Sequence, residues 1–180
     1  MVAGEEYHGK YVGKVKTEWL PDGRNMRLLE PFVFIDSNGA EWAAPTNSIT
    51  DGASIPKACW SFIGGPFEGK YREAAVIHDV ACENQKRSWE STHETFYHAM
   101  LVSGTSIKTA KKFYWAVYHY GPRWEPISGA RKSRVLELGA VSERQLSESD
   151  FATVNKYIEE KENSGYSMSL EEIRSYQPSA

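Results

Sequence analysis

Alternating apolar and polar positions over residues 7–50 predict a series of β-strands. Two clusters of turn-forming residues, PDGRN and SNGA, divide this region, and Asn-Gly is a strong signal for a short hairpin. Phe32, Phe34 and Trp42 are expected to share one face of a sheet, because alternate residues of a strand point the same way. The pattern therefore predicts antiparallel β-hairpins in the N-terminal part.

The spacing of apolar residues changes to a helical period after the glycine- and proline-rich loop at 51–69. This spacing predicts three helices, at 70–84, 89–103 and 106–120. The third helix carries lysines opposite its apolar stripe. Those lysines are expected to face water: Lys108, Lys111 and Lys112.

The remainder of the chain is more polar and carries fewer aromatic residues. An acid-rich helix with a thin apolar stripe is predicted at 147–163, and Ser169-x-x-Glu172 is a capping-box pattern for a last short helix. We expect residues 1–124 to form an α+β core domain in which the β-hairpins pack on the three-helix unit. Residues 125–180 are expected to be a helical extension that docks on this domain or on a partner.

Composition excludes some classes of protein. The chain has 21 basic and 24 acidic residues and a net charge of -3, which gives no electrostatic footprint for nucleic acid. No stretch approaches the roughly 20 apolar residues of a membrane span, and the polar N-terminal sequence does not resemble a signal peptide. We expect folding in a cytosol, with Cys59 and Cys82 as reduced thiols.

The His78-Asp79 pair is the first candidate for chemistry. His78 lies on a helical stripe of small residues, which would leave space above its ring for a substrate or a metal. Glu94, on the next helix, could orient the imidazole if the two helices pack antiparallel, so that His78 and Glu94 form a catalytic dyad. Asp79 points about 100° away around the helix and is better placed to bind a cation. The alternative is a buried histidine that only stabilises the core.

The segment HETFYH at 93–98 does not have the spacing of a zinc-protease motif, because its two histidines are five residues apart. A zinc site that combines His78 and Cys82 with His93 or His98 stays open, since residues 78 and 82 share a helix face. A plain i,i+4 surface pair of Glu94 and His98 is the simpler interpretation of those two residues.

Two loop features are weaker candidates. Asp51 begins the segment DGASIP, where it can close an Asx-turn or serve as a third carboxylate of the site. The glycines between Phe62 and Pro66 could expose backbone carbonyls to a calcium ion.

The runs TDGASIPKACWSFIGGPFEGKYREAAVIHDVAC, ETFYHAM and KKFYWAVYHYG resemble a family of unknown function encoded by bacteriophages, prophages and bacteria. The resemblance covers about residues 30–121. It implies a virion-associated protein, such as a tail, neck or baseplate accessory, with other virion proteins as partners. It also implies synthesis in a host bacterial cytoplasm. The chain departs from the family pattern at Glu94, where an aspartate is usual, and at Cys82, where an aromatic is usual.

A more remote resemblance is to phospholipases of the secreted A2 type, which carry a glycine loop, a His-Asp helix and a later acid. It implies that His78 activates water, that Asp79 binds calcium near the 62–66 loop, and that Glu94 orients the histidine. Under this hypothesis the protein is a hydrolase with a lipid substrate.

Overall fold

The computed structural model describes residues 7–51, 55–63, 69–125 and 145–178. The described strands are β1 (Gly9–Val12), β2 (Thr17–Trp19), β3 (Met26–Leu28), β4 (Phe32–Asp36), β5 (Glu41–Ala44) and β6 (Ile49–Thr50). All of their pairings are antiparallel, in one sheet of order β1-β4-β5 and a second of order β2-β3-β6.

Both predicted hairpin turns are present. The Asp22 carboxylate accepts the backbone N–H groups of Arg24 and Asn25 at the first turn, and Asp36 accepts that of Ala40 at the second, each at 2.9 Å. Between the two predicted turns, the strand region is interrupted at Pro31, which has no N–H group to donate to a strand ladder and separates β3 from β4. As a result the hairpins form two small sheets.

The helices follow the predicted order. They are α1 (Trp60–Ile63), which continues from a short 3₁₀ turn (Lys57–Cys59), α2 (Arg72–Asn84), α3 (Trp89–Val102), α4 (Ile107–Tyr120), α5 (Glu148–Asn163) and α6 (Leu170–Ser175). Serine side chains cap the N-termini of α3 to α6, and the predicted capping box begins α6. Within the described ranges, none of these helices combines the length and apolarity that a membrane crossing requires.

The core lies where α2 packs between the β-sheets on one side and α3 on the other. Nine consecutive residues of α2, from Ala74 to Cys82, are buried, so this helix has no solvent-facing side over that length. Phe32, Phe34 and Trp42 share the inward face of their sheet, as predicted. The α+β class expected from the sequence is confirmed.

The helical extension packs on α4 and shares its hydrophobic core. Four of its apolar residues are at most 1% exposed: Phe151, Val154, Ile158 and Ile173. The Trp115 indole of α4 also donates to the backbone carbonyl of Tyr176, at 2.9 Å. The extension therefore contacts the domain itself along α4.

Two lysines of α4 do not face water, so the prediction for them was wrong. Lys111 and Lys112 are buried, and their amines pair with carboxylates of α5, Lys111 with Glu162 at 2.6 Å and Lys112 with Glu159. The physical reason is that α5 covers this face of α4 and supplies the opposite charge.

Helix α4 ends at Gly121, where there is no room for a side chain. A Cβ atom at that position would lie 2.4 Å from the carbonyl oxygen of Val117. The chain leaves the helix there and continues into Pro122, next to α3.

Candidate metal centre

Helix α2 supplies two residues of a buried cluster, His78 and Cys82. They are four residues apart and therefore lie on the same side of the helix, one turn apart. The Sγ atom of Cys82 lies 3.6 Å from Nε2 of His78. Both side chains are nearly inaccessible to solvent, with exposed fractions of 1% for His78 and 7% for Cys82.

Helix α3 supplies the third residue, His93, which is fully buried. Its Nδ1 atom lies 2.8 Å from Nε2 of His78. The two histidines meet because a short turn joins α2 and α3, and His78 lies six residues before the end of α2 while His93 lies four residues after the start of α3. Among the described residues, His78 Nε2, Cys82 Sγ and His93 Nδ1 form a group of donor atoms within 4.8 Å of one another.

The hydrogen bonds of the cluster determine which nitrogen atoms carry protons. Nε2 of His93 lies 3.1 Å from the carbonyl oxygen of Pro122, which can only accept, so this nitrogen carries the proton. Nδ1 of His93 then has a free lone pair, which accepts from His78 Nε2–H. Nδ1 of His78 is buried and has no hydrogen-bond partner within the described part of the chain.

Burial keeps both imidazoles neutral. It lowers the pKa of His93 from its ordinary 6.5 to about 4, although the hydrogen bond to Pro122 acts in the opposite direction. Burial also lowers the pKa of His78 well below 6.5, and the neighbouring His93 adds to this effect. Two neutral imidazoles beside a thiol are a set of potential metal ligands that needs little deprotonation.

The low pKa of His93 predicts a loss of stability in acid. The unfolded chain binds a proton with a pKa of 6.5 and the folded chain with a pKa of about 4, so stability is lost as the pH falls from 6.5 toward 4. For this one group we expect a loss of roughly 2 kcal/mol in the free energy of unfolding between pH 7 and pH 5. Denaturant titrations with a chelator present measure it.

The matched comparison is the variant His93→Gln, which lacks the titrating group but keeps a polar side chain. Its free energy of unfolding should fall less than that of the wild type between the two pH values. If both proteins lose the same amount, His93 does not titrate with a lowered pKa in the folded state.

A cleft of about 380 Å³ lies beside the cluster. Cys82 belongs to both the cluster and the cleft wall, and Pro122, which holds His93, is also in that wall. The remaining lining residues are mostly polar: Asn25, Ile49, Thr50, Asp51, Asp79 and Glu83. The cluster thus borders a space that is large enough for a small molecule.

The residues predicted from the sequence are only partly brought together. Glu94 does not face His78; it lies on another side of α3, where it accepts a hydrogen bond from Arg174 of α6. The imidazole that meets His78 belongs to His93, the residue before Glu94. The structure thus does not form the predicted dyad, because a shift of one residue turns a side chain about 100° around a helix.

Asp79 and Asp51 both lie in the cleft wall. Oδ2 of Asp79 accepts a hydrogen bond from the Thr50 hydroxyl at 2.5 Å. Asp51 forms an ion pair with Arg24 at 2.9 Å. Of the loop considered for calcium, residues 64–66 lie outside the described residues.

Glu94 and His98 have separate partners. Glu94 binds Arg174, while Nδ1 of His98 lies 3.0 Å from Nδ1 of His8, with the two rings stacked. Of the two zinc combinations left open by the sequence, the structure assembles the one with His93. One signal favours it: His93 is four residues after Trp89 and three before Phe96, on the inward stripe of α3.

Comparison with known proteins places the chain in a family. Residues 26–117 match the model of a family described as a protein of unknown function (DUF1353). The chain belongs to this family. The DUF1353 match runs from β3 into α4 and includes all three residues of the cluster. The expectation of a family of unknown function is confirmed.

Two relatives come from Sinorhizobium fredii (strain NBRC 101917 / NGR234). "Uncharacterized protein y4jT" is 50% identical over 97 residues, which are 54% of this chain and 29% of that protein. "Uncharacterized protein y4iH" is 34% identical over 169 residues, 86% of this chain and 71% of that protein. The match thus spans less than a third of the first relative and about seven tenths of the second. No solved structure matches it.

Proposed function

We propose that this protein binds a divalent transition-metal ion, zinc in preference to others, through His78, Cys82 and His93. The observation that carries the proposal is the convergence of two imidazole nitrogens and one sulfur within 4.8 Å in a buried position. Nitrogen and sulfur donors are the ligands that zinc prefers in proteins.

The distances support a tetrahedral site. Zinc bonds of about 2.0–2.1 Å to nitrogen and about 2.3 Å to sulfur put a nitrogen and a sulfur ligand roughly 3.6 Å apart. The distance between Cys82 Sγ and His78 Nε2 is 3.6 Å. The two imidazole nitrogens, now 2.8 Å apart, would have to separate to roughly 3.3 Å. This pair therefore needs a displacement of about half an ångström between the two side chains and the transfer of the His78 proton from Nε2 to Nδ1.

The surroundings of the ligands also support the proposal. The hydrogen bond from His93 Nε2 to Pro122 directs the unprotonated Nδ1 toward the ion, as a fixed partner on the far nitrogen does in zinc sites. Because both imidazoles are neutral near pH 7, binding has to release the thiol proton of Cys82, while the proton of His78 moves within the ring from Nε2 to Nδ1.

Calcium on Asp79 is a separate hypothesis that the sequence suggested. Calcium takes six to eight oxygen ligands, whereas this cluster offers nitrogen and sulfur, so the two ions would occupy different places. The virion-associated role, with its phage partners and cytoplasmic synthesis, stays a prediction from the sequence resemblance alone.

The experiment is metal titration of the full chain after treatment with a chelator, under a reductant that does not bind metals. We expect one zinc ion per chain by calorimetry, and with cobalt an absorption band from the thiolate bond to the metal. Zinc should also raise the melting temperature, by the equivalent of about 2.7 kcal/mol when the free ion is at 100 times its Kd. Calcium at the same concentration should not displace the cobalt.

Matched variants make the test specific. Cys82→Ala and His93→Gln should abolish the cobalt band, while His98→Gln, which removes a histidine from the same helix, should keep it. Cys59→Ala removes the other buried thiol and should also keep the band. Far-UV circular dichroism of the metal-free variants checks that each is folded. If folded wild type takes up no zinc, or if Cys82→Ala binds it equally well, the proposal fails.

A further inference from the structure

We infer that Trp124 and Arg123 are positioning residues for the proposed metal site. They hold the backbone carbonyl of Pro122 against His93 and thereby decide which nitrogen of that imidazole is free to bind the metal. The inference rests on the proposed function and deepens it, because it assigns a role to residues that are not ligands. It is carried by hydrogen bonds and ring contacts that converge on residues 122–124, which we call the strap.

The strap follows the end of α4 and contacts the buried imidazole of His93 through one carbonyl group. Nε2 of His93 lies 3.1 Å from the carbonyl oxygen of Pro122, and His93 is fully buried, so solvent offers this nitrogen no alternative acceptor. The proline ring fixes the φ torsion of Pro122. The direction of its carbonyl therefore depends on the remaining backbone torsion, ψ, which is set by where residues 123 and 124 are held.

Trp124 holds the far end of the strap. Its indole N–H donates to the backbone carbonyl of Arg87, at 2.7 Å, in the turn between α2 and α3. Arg87 is itself fixed, because its guanidinium lies 4.2 Å from the centre of the Trp42 ring and donates to the Glu41 carbonyl at 3.0 Å. The Trp124 ring also meets the His93 ring edge-on, with 6.3 Å between the ring centres. Trp124 thus ties the strap to an anchored part of the domain.

Arg123 provides a second tether. Its guanidinium lies 4.6 Å from the centre of the Trp89 ring and donates to the Tyr118 carbonyl at 2.8 Å. Trp89 is the first residue of α3, one turn before His93, and its ring lies 5.6 Å from the imidazole. The strap is therefore held to α3 and α4 as well as to the turn between α2 and α3.

The direction of the Pro122 carbonyl matters because either histidine of the cluster can donate the hydrogen bond between them. Metal binding requires a free lone pair on Nδ1 of His93, and a carbonyl, which only accepts, keeps the proton on Nε2. If the carbonyl moves away, the ring can instead carry its proton on Nδ1 and donate to Nε2 of His78. This second form presents a proton where the metal would bind. Loss of such a partner lowers metal affinity by about 10- to 100-fold in zinc sites.

The test compares two substitutions of tryptophan by phenylalanine in the full chain. Trp124→Phe removes the indole N–H and keeps an aromatic ring. We expect it to raise the Kd for zinc about tenfold, measured by competition with a coloured chelator, because it acts on the imidazole only through Pro122. The matched control is Trp115→Phe, which also loses a bond from an indole to a backbone carbonyl, that of Tyr176 at 2.9 Å. The control should leave the Kd for zinc unchanged.

A second measurement separates positioning from a general loss of stability. A two-bond proton–nitrogen NMR correlation of the metal-free protein shows which ring nitrogen of His93 carries the proton. The wild type and Trp115→Phe should show it on Nε2, whereas Trp124→Phe should show a mixture of the two forms.

Arg123→Lys tests the second tether without changing the charge. Lysine lacks the planar group that stacks on Trp89, so this variant should also weaken zinc binding and mix the two forms of His93. Because residue 123 is exposed, the substitution carries the test alone if Trp124→Phe is not folded by circular dichroism.

Failure of the inference is distinguishable from failure of the metal site. If the Trp124 and Arg123 variants bind zinc as tightly as the wild type, or if His93 keeps its proton on Nε2 in both, the strap does not position the imidazole. An equal loss of affinity in Trp115→Phe would also overturn the inference, since the effect would then be one of general stability. A wild type that takes up no zinc refutes the metal site instead, and the NMR of the metal-free variants still decides whether the strap fixes His93.

Discussion

A chain that ends after residue 144 is expected to aggregate and to show no cooperative unfolding transition. The truncation removes four large side chains that are at most 1% exposed: Phe151, Val154, Ile158 and Ile173. Removing one such side chain from a core costs about 2–5 kcal/mol, and a whole domain is stable by only about 5–15 kcal/mol. Size-exclusion chromatography and thermal melting followed by circular dichroism measure the result.

The matched control is a chain that ends after residue 176. It keeps α5 and α6, as well as the stacked pair of Tyr157 and Tyr176. We expect its free energy of unfolding to stay within about 0.5 kcal/mol of the full chain, as for changes at exposed positions. A monomeric, cooperatively unfolding chain of 144 residues would instead make residues 145–178 a separable extension.

Lys111→Met is expected to lower the free energy of unfolding by about 3–5 kcal/mol at pH 7. The ammonium of Lys111 and the carboxylate of Glu162 are both buried, with side-chain exposures of 2% and 6%. The variant would leave Glu162 charged and buried without its partner. Equilibrium unfolding in urea measures the change.

A second ion pair on α5 provides the control. Lys156 and Glu160 are four residues apart, 3.8 Å from each other and largely exposed. Because water already solvates both charges, Lys156→Met should cost less than about 0.5 kcal/mol. Adding Glu162→Gln to Lys111→Met should recover part of the loss. If the two lysine variants cost the same, burial of the pair does not matter.

Much of the fold follows from signals that lie close together in the sequence. The helix α3 could be predicted at 89–103 and is observed at Trp89–Val102, because Ser88 caps its start and Gly104 follows its end. The Asn-Gly and Asp-Gly turns likewise located the hairpins. Each of these features depends on residues within one turn of a helix or one hairpin.

The period of the apolar residues in α3 did not determine whether His93 or Glu94 faces His78. Both are polar and adjacent, and a rotation of α3 by about 100° exchanges which of them faces α2. The decisive information is the apolar stripe through Trp89 and Phe96, which includes His93 only if a histidine is accepted as a core residue. Glu94 instead meets Arg174, a residue that is distant in the sequence.

The burial of Lys111 and Lys112 in α4 could not be predicted, because it depends on residues that are far away in the sequence. Their partners Glu159 and Glu162 lie about fifty residues later in the chain. No local sequence pattern predicts which helix will pack on a given face of α4. A lysine opposite an apolar stripe is solvated unless another part of the chain supplies both cover and charge.

The end of α4 has a consequence for the imidazole of His93. Gly121 has no space for a Cβ atom, and the next residue, Pro122, provides the carbonyl that holds the proton on His93 Nε2. A side chain at 121 would displace that carbonyl and free the ring to carry its proton on Nδ1, where a metal would otherwise bind. A substitution at Gly121, which is not one of the proposed ligands, would thereby prevent His93 from binding the proposed metal. Mutational scans of metal binding would then report Gly121 together with the proposed ligands.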